Sequence, residues 1–445
     1  PAIIQRGNLG WFKSEPLGLF LALLSVYLFI SSIKSKNIKR TILTAAVGGL
    51  ILGLANSSWG GIQYFSIPIG IFFFSLPFLR KDSIFLYGII TFTVITLITA
   101  GAFPRPGISF VIGLPGIALI VGMIFAIVGT IIRTKSSPTK ANRNLIAALG
   151  VFVLLMISIF AVGAYQPSSF RYLVAVNPFL SSHNPLVESV AEHSTPTVID
   201  YFTDYSILLI FAGFGVWFSF SKRTDMTIFA LIIGITGLYV SATFARLMVY
   251  SSIAIVILAS IGLYELTRSI LQNRIENQNK IKEREFRKNI KEGKILPDVK
   301  PLVKLSFVVM VVFLISIPLI DYNGLIYPKN FNWISSADIP PSIVNGATGF
   351  RMQVEDWVDA LDWIENNTPK DSIIASWWDY GYWITTLGNK TTLADNATIN
   401  QTRIQTIAKM LMSEQETATQ IAQDLKADYI LVYIVADRHN GANGN

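Results

Sequence analysis

The chain has 445 residues, of which 52% are hydrophobic and only 14% are charged, and it contains no cysteine. A mean hydropathy of +0.50 with so little charge excludes a typical soluble protein and indicates a chain that sits in a lipid bilayer. The lack of cysteine excludes disulfides, thiol nucleophiles and cysteine zinc sites. The net charge of +8 does not indicate a nucleic-acid-binding protein, because the basic residues lie in short loops between apolar runs.

Apolar runs long enough to cross about 30 Å of hydrocarbon recur along most of the chain. The loops between them alternate sharply in their content of lysine and arginine. We therefore predict ten transmembrane helices, at residues 16–33, 41–57, 62–79, 84–101, 107–132, 145–164, 205–221, 226–243, 245–267 and 303–320.

The uneven distribution of basic residues predicts which side of the membrane each loop faces. One set of loops, which includes residues 268–302, holds 23 lysines and arginines, whereas the opposite set holds five up to the last helix. We therefore predict a transmembrane domain at 16–320, in which 268–302 is a cytoplasmic loop and 165–204 is an external loop. Residues 1–15 and 321–445 then lie on the extracytoplasmic side.

The segment 321–445 shows the alternation of strands and helices that is typical of an α/β layer structure. Trp357, Leu361 and Ile364 fall on one face of a helix that ends at Pro369. We predict strands at SIIAS, TTLA and DYILVYIV, and helices at NQTRIQTIAKMLM and ETATQIAQDLKA. The predicted fold is a polytopic α-helical membrane domain followed by an extracytoplasmic α/β domain, in which SWWDYG lies at the carboxyl end of a strand, where binding crevices form.

Two tryptophans and an aspartate, Trp377, Trp378 and Asp379, follow the first of these strands directly. Interfacial anchoring by tryptophan and helix capping by aspartate are the ordinary roles of such residues. Two adjacent indoles cannot both pack on the same sheet face, however, so one of them must point into a loop crevice. An indole N–H only donates and a carboxylate only accepts, so together they can hold one hydroxyl from both sides. The pattern therefore favours a site that binds the side chain of Ser or Thr.

The stretch SWWDYGYWI resembles the signature of the catalytic subunit of oligosaccharyltransferase, in its archaeal and eukaryotic branch. That membrane enzyme moves a lipid-linked oligosaccharide onto the Asn of Asn-X-Ser/Thr, and the WWD part of its signature binds the Ser or Thr hydroxyl. The following TTLADNATIN is similar to the family's next segment, and the resemblance extends over nearly the whole chain. It implies that Trp377, Trp378, Asp379 and Glu192 contact the acceptor polypeptide.

Two further segments on the predicted external side resemble elements of this family. SVAE, residues 189–192, is similar to its Ser-Val-Ser-Glu element, which implies that Glu192 lies near the acceptor amide and a metal site. Arg246, at the mouth of a predicted helix, is similar to the arginine that meets the donor pyrophosphate, and a guanidinium can grip two phosphate oxygens at once. Apart from the resemblance, Glu192 would be solvated surface and Arg246 a snorkelling interfacial residue.

The segment GWFKSEPLGLF, residues 10–20, resembles the family's second acidic motif, in which two acidic residues flank one position. Lys13 stands in the first acidic place and Glu15 in the second. The resemblance implies that Glu15 and Glu192 are catalytic residues and ligands of Mn²⁺ or Mg²⁺, hard cations that want several oxygen ligands. The alternative is that Glu15 only caps the helix that begins beside Pro16.

The resemblance predicts an integral-membrane glycosyltransferase for protein N-glycosylation, with a polyprenyl- or dolichyl-linked oligosaccharide as donor and Asn-X-Ser/Thr polypeptides as acceptors. Because the lone pair of an amide nitrogen is delocalised, carboxylates would have to assist its attack. The alternative enzyme is another polyprenyl-phosphate-sugar transferase, such as a protein O-mannosyltransferase. Such an enzyme has no need to bind a hydroxyl two residues after the acceptor residue, so the WWDYG stretch disfavours it. A transporter with an external domain would carry ionisable groups at mid-membrane, and the predicted helices are almost free of them.

Four Asn-X-Thr triplets, at Asn366, Asn389, Asn396 and Asn400, lie in the segment predicted outside and lend weak support to glycosylation on that side. The chain starts at Pro1 without a signal-peptide pattern, so we expect a fragment cut at both ends. The resemblance implies that a first catalytic aspartate precedes it and a further acceptor-side motif follows it. We expect the fragment alone to be inactive.

Overall fold

A computed structural model describes residues 3, 14–161, 193–271, 301–316 and 355–433. The chain forms two compact units, Pro1–Asp338 and Ile339–Asn445. The first unit is helical throughout its described residues, and the second combines helices with a small sheet.

The first unit contains a series of apolar helices joined by short loops. Its helices are α1 Glu15–Lys34, α2 Ile38–Ser58, α3 Gln63–Leu79, α4 Ile84–Ala102, α5 Ile108–Ile112, α6 Leu114–Lys135, α7 Pro138–Ala161, α8 Val198–Tyr205, α9 Leu208–Lys222, α10 Asp225–Ser241, α11 Met248–Leu271 and α12 Pro301–Ser316. Two single turns of 3₁₀ helix, Gly60–Ile62 and Ala245–Leu247, precede α3 and α11. Each of the ten predicted transmembrane positions is occupied by a helix, so the periodic apolar runs located the elements correctly.

The predicted number of ten membrane spans is too high when length is taken into account. Seven helices in the described part of the chain are long and apolar enough to cross a membrane, or eight if the bent pair α8 and α9 forms one span. The axes of that pair differ by 95°, so it is a broken span or a re-entrant loop. The remaining two predicted spans correspond to α10 and α12, which are apolar but have only 17 and 16 residues.

Aromatic side chains fill the interior of the helical unit, while large apolar residues cover its outside. Phe29 on α1 lies 4.8 Å from Phe92 on α4 and 5.5 Å from Phe73 on α3, measured between ring centroids. On the outer faces, Phe20 is 63% exposed and Leu43 is 66% exposed. A soluble protein rarely leaves so many large apolar side chains uncovered, so these faces fit a lipid environment.

Ion pairs tie neighbouring helices together at one end of the bundle. Arg80, which follows α3, donates from Nε to Asp225 Oδ2 at 2.7 Å, and Asp225 is the first residue of α10. The same guanidinium also donates to the carbonyl oxygen of Ile33 near the end of α1. The loops near residues 80 and 223, both predicted on the cytoplasmic side, therefore lie at the same end of the unit.

The second unit is built on a three-stranded parallel sheet in the order β2-β1-β3. Its elements are α13 Asp356–Asn367, β1 Ile373–Ser376, α14 Gly381–Thr386, β2 Thr391–Thr392, α15 Gln401–Met412, α16 Gln415–Asp424 and β3 Tyr429–Leu431, with a 3₁₀ turn at Trp378–Tyr380. The predicted helices and strands are confirmed, although β2 is shorter than TTLA. Of DYILVYIV, the part after residue 433 lies outside the described residues.

Successive side chains of β1 point to opposite faces of the sheet and enter two separate apolar clusters. Ile374 packs with the buried face of α13, and Ala375 packs with Ile407 and Met410 of α15. The α13 face is formed by Trp357, Leu361 and Ile364, which are 3%, 1% and 5% exposed, as their helical spacing predicted. Covered on both faces, β1 is the rigid centre of this unit.

Candidate functional site

The WWDYG stretch begins at the carboxyl end of β1, the central strand of the sheet. The chain leaves β1 towards β2 on one side and later returns to β3 on the other. In a parallel sheet this reversal of direction opens a crevice beyond the carboxyl ends of the strands. The 3₁₀ turn Trp378–Tyr380 therefore stands where such a fold binds ligands, as the sequence predicted.

The two indoles and the carboxylate of this stretch present complementary hydrogen-bonding groups. The rings of Trp377 and Trp378 lie 6.0 Å apart at an interplanar angle of 47°, and both residues are half-buried, whereas Asp379 is exposed. The Nε1 atom of Trp378 is buried and has no hydrogen-bond partner within the described residues. A buried donor without a partner is costly, so this N–H is suited to a ligand that brings an acceptor. A hydroxyl group is such an acceptor and can in turn donate to a carboxylate.

Aromatic rings support the WWDYG turn from the side of α13. Trp357 lies 4.5 Å from Tyr380, 5.0 Å from Trp383 and 5.2 Å from Tyr433, measured between ring centroids. Burial raises the pKa of the Tyr380 phenol above its ordinary value of 10.0, and the charges of Asp379 and Tyr433 raise it further. Tyr380 is therefore a neutral packing residue at physiological pH.

The loop after β2 lies directly against the WWDYG turn. Asn396 donates from Nδ2 to the backbone oxygen of Asp379 at 2.9 Å and accepts at Oδ1 from the backbone N–H of Tyr382 at 3.3 Å. Gly381 lies so close to this loop that a Cβ atom there would stand 2.5 Å from the Cα of Asp395. Only glycine permits this approach of two backbones.

In the first unit, the two predicted site residues Glu15 and Arg246 form an ion pair. Arg246 Nη2 donates to Glu15 Oε1 at 2.7 Å. The Glu15 side chain is 1% exposed, whereas that of Arg246 is 34% exposed. The structure thus brings together two residues that the sequence had assigned to separate tasks, metal binding and phosphate binding.

Glu192 itself lies outside the described residues, but the residues that follow it are placed beside Arg246. The backbone oxygen of Ser194 accepts from the N–H of Ala245 at 2.8 Å, and the ring of His193 lies 4.9 Å from that of Phe244. The external loop that carries Glu192 therefore meets the chain within two residues of Arg246. Lys13 also lies outside the described residues.

The described residues do not by themselves form a divalent-metal site. Among them, no group of three or more His, Asp or Glu side chains is close enough to hold a metal ion. Glu15 is the one proposed ligand within the described part of the chain, and its Oε1 atom already accepts from Arg246. A hard cation wants several oxygen ligands, so this arrangement alone does not fit one.

Sequence reasoning missed the role of Asn396, which it placed in an Asn-X-Thr triplet and in the segment TTLADNATIN without assigning it a contact. It also missed the contact between Glu15 and Arg246, which are separated by 231 positions in sequence. The position of Asn396 could have been predicted, because an Asn in the loop after a neighbouring strand lies at the same sheet edge as WWDYG. The contact between Glu15 and Arg246 could not have been predicted, since a single sequence does not show which distant residues meet.

Two family models match the chain. Residues 1–260 match the family described as "Oligosaccharyl transferase STT3, N-terminal", and residues 370–439 match the "STT3/PglB/AglB core domain". The "dolichyl-diphosphooligosaccharide--protein glycosyltransferase subunit STT3B" of Arabidopsis thaliana is 26% identical over 97% of this chain and 60% of its own length. The corresponding STT3 subunit of Dictyostelium discoideum is also 26% identical, over 97% of this chain and 58% of its own length. The chain thus spans about 60% of the length of these relatives.

The fold resembles that of solved oligosaccharyltransferases from Archaeoglobus fulgidus. The apo crystal structure matches with a TM-score of 0.68 at 16% identity, over 96% of this chain and 53% of that one. A complex of the same archaeal enzyme, AglB, with an inhibitory peptide and a dolichol-phosphate matches with a TM-score of 0.66, at the same identity and coverage. A third structure, which holds Zn and sulfate, matches with a TM-score of 0.57 at 15% identity, over 96% of this chain and 50% of that one. The match to residues 1–260 covers more than half of the sequence, and the chain belongs to the oligosaccharyl transferase STT3 family.

Proposed function

We propose that the protein to which this chain belongs transfers an oligosaccharide from a polyprenyl- or dolichyl-phosphate carrier to the Asn of Asn-X-Ser/Thr acceptors. The observation that carries the proposal is the buried Nε1–H of Trp378, which has no partner among the described residues, together with the exposed side chain of Asp379 at the crevice end of β1. Membership of the STT3 family supports it.

On the acceptor side, Trp377, Trp378 and Asp379 bind the Ser or Thr hydroxyl two residues after the acceptor Asn. The Trp378 N–H donates to the hydroxyl oxygen, and the Asp379 carboxylate accepts the hydroxyl proton. These residues make and break no covalent bond. They hold the acceptor in place, and correct placement of a weak nucleophile can contribute several kcal/mol to catalysis.

On the donor side, Arg246 binds the pyrophosphate of the lipid carrier. Its side chain is one-third exposed, and its Nη2 atom donates to Glu15. A guanidinium presents five N–H donors in a fixed plane, so it can contact a carboxylate and a phosphate at the same time. The A. fulgidus enzyme that was solved with a dolichol-phosphate supports a donor of this chemical class.

Glu192 is proposed to hold the N–H groups of the acceptor amide, whose nitrogen attacks the sugar carbon as the pyrophosphate departs. The placement of Ser194 against Ala245 supports a position of this loop close to Arg246. Use of a divalent cation is proposed from the A. fulgidus structure that holds Zn, with Mn²⁺ or Mg²⁺ as the ion here and Glu15 and Glu192 as ligands. No step is assigned to the metal, because the described residues do not make its site.

The protein is proposed to be a multi-pass membrane protein whose second unit and whose Arg246 face the extracytoplasmic side. The apolar helices and the family support the membrane location. The excess of lysine and arginine in the opposite set of loops supports the orientation. This side is where exported polypeptides become available as acceptors.

Steady-state kinetics of the full-length protein test the proposal. Peptide glycosylation would be followed at varied acceptor concentration for Asp379→Ala and Glu192→Gln. The first change should mainly raise the KM for the peptide, because it removes binding, and the second should mainly lower kcat. Asp371→Ala is the matched control, since this exposed aspartate lies at the opposite end of β1. Unchanged kinetics in both test variants would exclude the proposed function.

A further inference from the structure

We propose that Asn396 is a positioning residue for the hydroxyl-binding site, acting through the backbone on both sides of Tyr380. Its Nδ2 atom donates to the backbone oxygen of Asp379 at 2.9 Å, and its Oδ1 atom accepts from the N–H of Tyr382 at 3.3 Å. The inference deepens the proposed function and rests on it, because it concerns the geometry of Trp378 and Asp379 rather than a new activity.

The two hydrogen bonds add a polar link between two structural elements that aromatic packing also joins. Asp379 belongs to the 3₁₀ turn Trp378–Tyr380, whereas Tyr382 belongs to the first turn of α14. A change in the angle between these elements would turn Trp378 and Asp379 together, away from their position at the crevice end of β1. An amide side chain offers a donor and an acceptor in one plane, so Asn396 can hold both elements at once.

The loop that presents Asn396 is itself held in a fixed shape. Asp395 accepts from the N–H of Ala397 at Oδ1, at 2.9 Å, and its backbone oxygen accepts from the N–H of Thr398 at 3.0 Å. The backbone of Gly381 packs against Ala394 and Asp395 without room for a side chain. The hydrogen bonds of Asn396 thus connect two closely packed backbones, and the loop after β2 fixes the WWDYG turn.

The same contact has a consequence for the Asn-X-Thr triplet Asn396-Ala397-Thr398. N-linked glycosylation attaches a sugar to Nδ2, the atom that donates to the backbone oxygen of Asp379. A glycan replaces one of the two hydrogens of this atom with a bulky sugar, which would crowd the hydrogen bond that the same atom makes to Asp379. We therefore infer that Asn396 carries no glycan in the working protein, although its sequence matches the acceptor pattern.

The test compares Asn396→Asp with Thr398→Ala in the full-length protein. Aspartate has the shape of asparagine and keeps the acceptor for Tyr382, but it places an acceptor against the Asp379 oxygen. Thr398→Ala keeps Asn396 and also destroys the Asn-X-Thr triplet, so it controls for loss of the triplet. Asp379→Ala is measured in parallel to test the hydroxyl-binding site itself.

We expect Asn396→Asp to raise the KM for an acceptor peptide about tenfold, the effect of losing one well-placed hydrogen bond, with less than about a twofold change in kcat. The KM for the lipid donor should stay constant, and Thr398→Ala should resemble the wild type in all three constants. An unfolding temperature within a few degrees of the wild type would show that Asn396→Asp folds. A change in acceptor KM with an unchanged donor KM is not expected from a purely structural residue.

Three results would overturn the inference. These are an unchanged acceptor KM in Asn396→Asp, an equal rise in Thr398→Ala, or a glycan on Asn396 found by mass spectrometry of the active wild-type protein. The mass spectrum of the wild-type protein shows whether Asn396 carries a glycan, even if Asn396→Asp fails to fold. If Asp379→Ala raises the acceptor KM and Asn396→Asp does not, only the positioning role is lost. If Asp379→Ala has no effect, the proposed function fails.

Discussion

Arg246 and Glu15, which are 231 positions apart in sequence, are joined by one hydrogen-bonded ion pair of 2.7 Å. Glu15 begins α1, and Arg246 lies in the 3₁₀ turn that precedes α11. Removing one partner of a buried ion pair leaves an uncompensated charge, which is costly in a medium that contains little water. The pair therefore fixes where the guanidinium of Arg246 stands.

Glu15→Gln should raise the KM for the lipid-linked donor about tenfold, because a neutral amide holds the Arg246 guanidinium less firmly than a carboxylate. The Mn²⁺ concentration that gives half-maximal activity should rise as well, because Glu15 is also a proposed ligand of the divalent cation. Mn²⁺ binding to the substrate-free protein, followed by electron paramagnetic resonance, provides an independent measurement. A weakened Mn²⁺ affinity in Glu15→Gln would show that Glu15 is a metal ligand.

Trp378→Phe should separate function from stability. The change removes a buried N–H that has no partner in the described residues, so the free energy of unfolding should change by no more than about 1 kcal/mol. The KM for the acceptor peptide should rise several-fold, since the hydroxyl of Ser or Thr loses its donor. Trp363→Phe, at an exposed tryptophan of α13, is the control and should leave the KM unchanged. A large loss of stability without a change in KM would contradict the assignment.

The raised pKa of Tyr380 predicts a loss of stability in alkaline solution. The folded protein holds the phenol proton more tightly than the unfolded chain, so there is no effect well below the ordinary pKa of 10.0. As the pH rises through the pKa of the folded state, the unfolded chain has already ionised and stability falls. Between about pH 9 and pH 11 the unfolding temperature of the wild type should fall more than that of Tyr380→Phe. An equal fall of the unfolding temperature in the wild type and in Tyr380→Phe would show that ionisation of the Tyr380 phenol is not the cause.

Gly215→Ala should destabilise the helical unit, because a Cβ atom there would overlap the backbone oxygen of Leu258 where α9 crosses α11. Overpacking of this kind typically costs about 1–3 kcal/mol, and it should lower the unfolding temperature measured in detergent. Gly213→Ala lies on the same helix with nothing within 4 Å of its Cβ position, so it is the matched control. Equal unfolding temperatures in the two variants would show that α9 and α11 do not cross this closely.

Patterns that repeat along the chain were sufficient to predict most of the fold. The apolar runs located the long apolar helices of the described part of the chain, and the spacing of Trp357, Leu361 and Ile364 identified the buried face of α13. The strand before Trp377 was predicted for the same reason, since a short apolar run bounded by polar residues is typical of a buried strand. The spacing of apolar residues within an element shows which of its faces is buried, so this information can be read from a single sequence.

The number of spans and the contacts within the site could not be obtained in this way. Hydropathy shows that α10 is apolar, but it does not show that this helix has only 17 residues. The hydrogen bonds from Asn396 to Asp379 and Tyr382 arise from how β2 lies beside β1, which no local pattern records. The sequence predicted the type of site from Trp378 and Asp379, whereas the residues that hold the site in place depend on tertiary structure.

The single backbone hydrogen bond from Ala245 to Ser194 has a mechanical consequence for the external loop. Arg246 is the next residue after Ala245, and Glu192 lies two residues before Ser194. If Arg246 binds the donor phosphate as proposed, a shift of its backbone on binding would be passed through this hydrogen bond to Ser194. Binding of the proposed lipid-linked donor and of the proposed acceptor polypeptide would then be coupled through one backbone hydrogen bond.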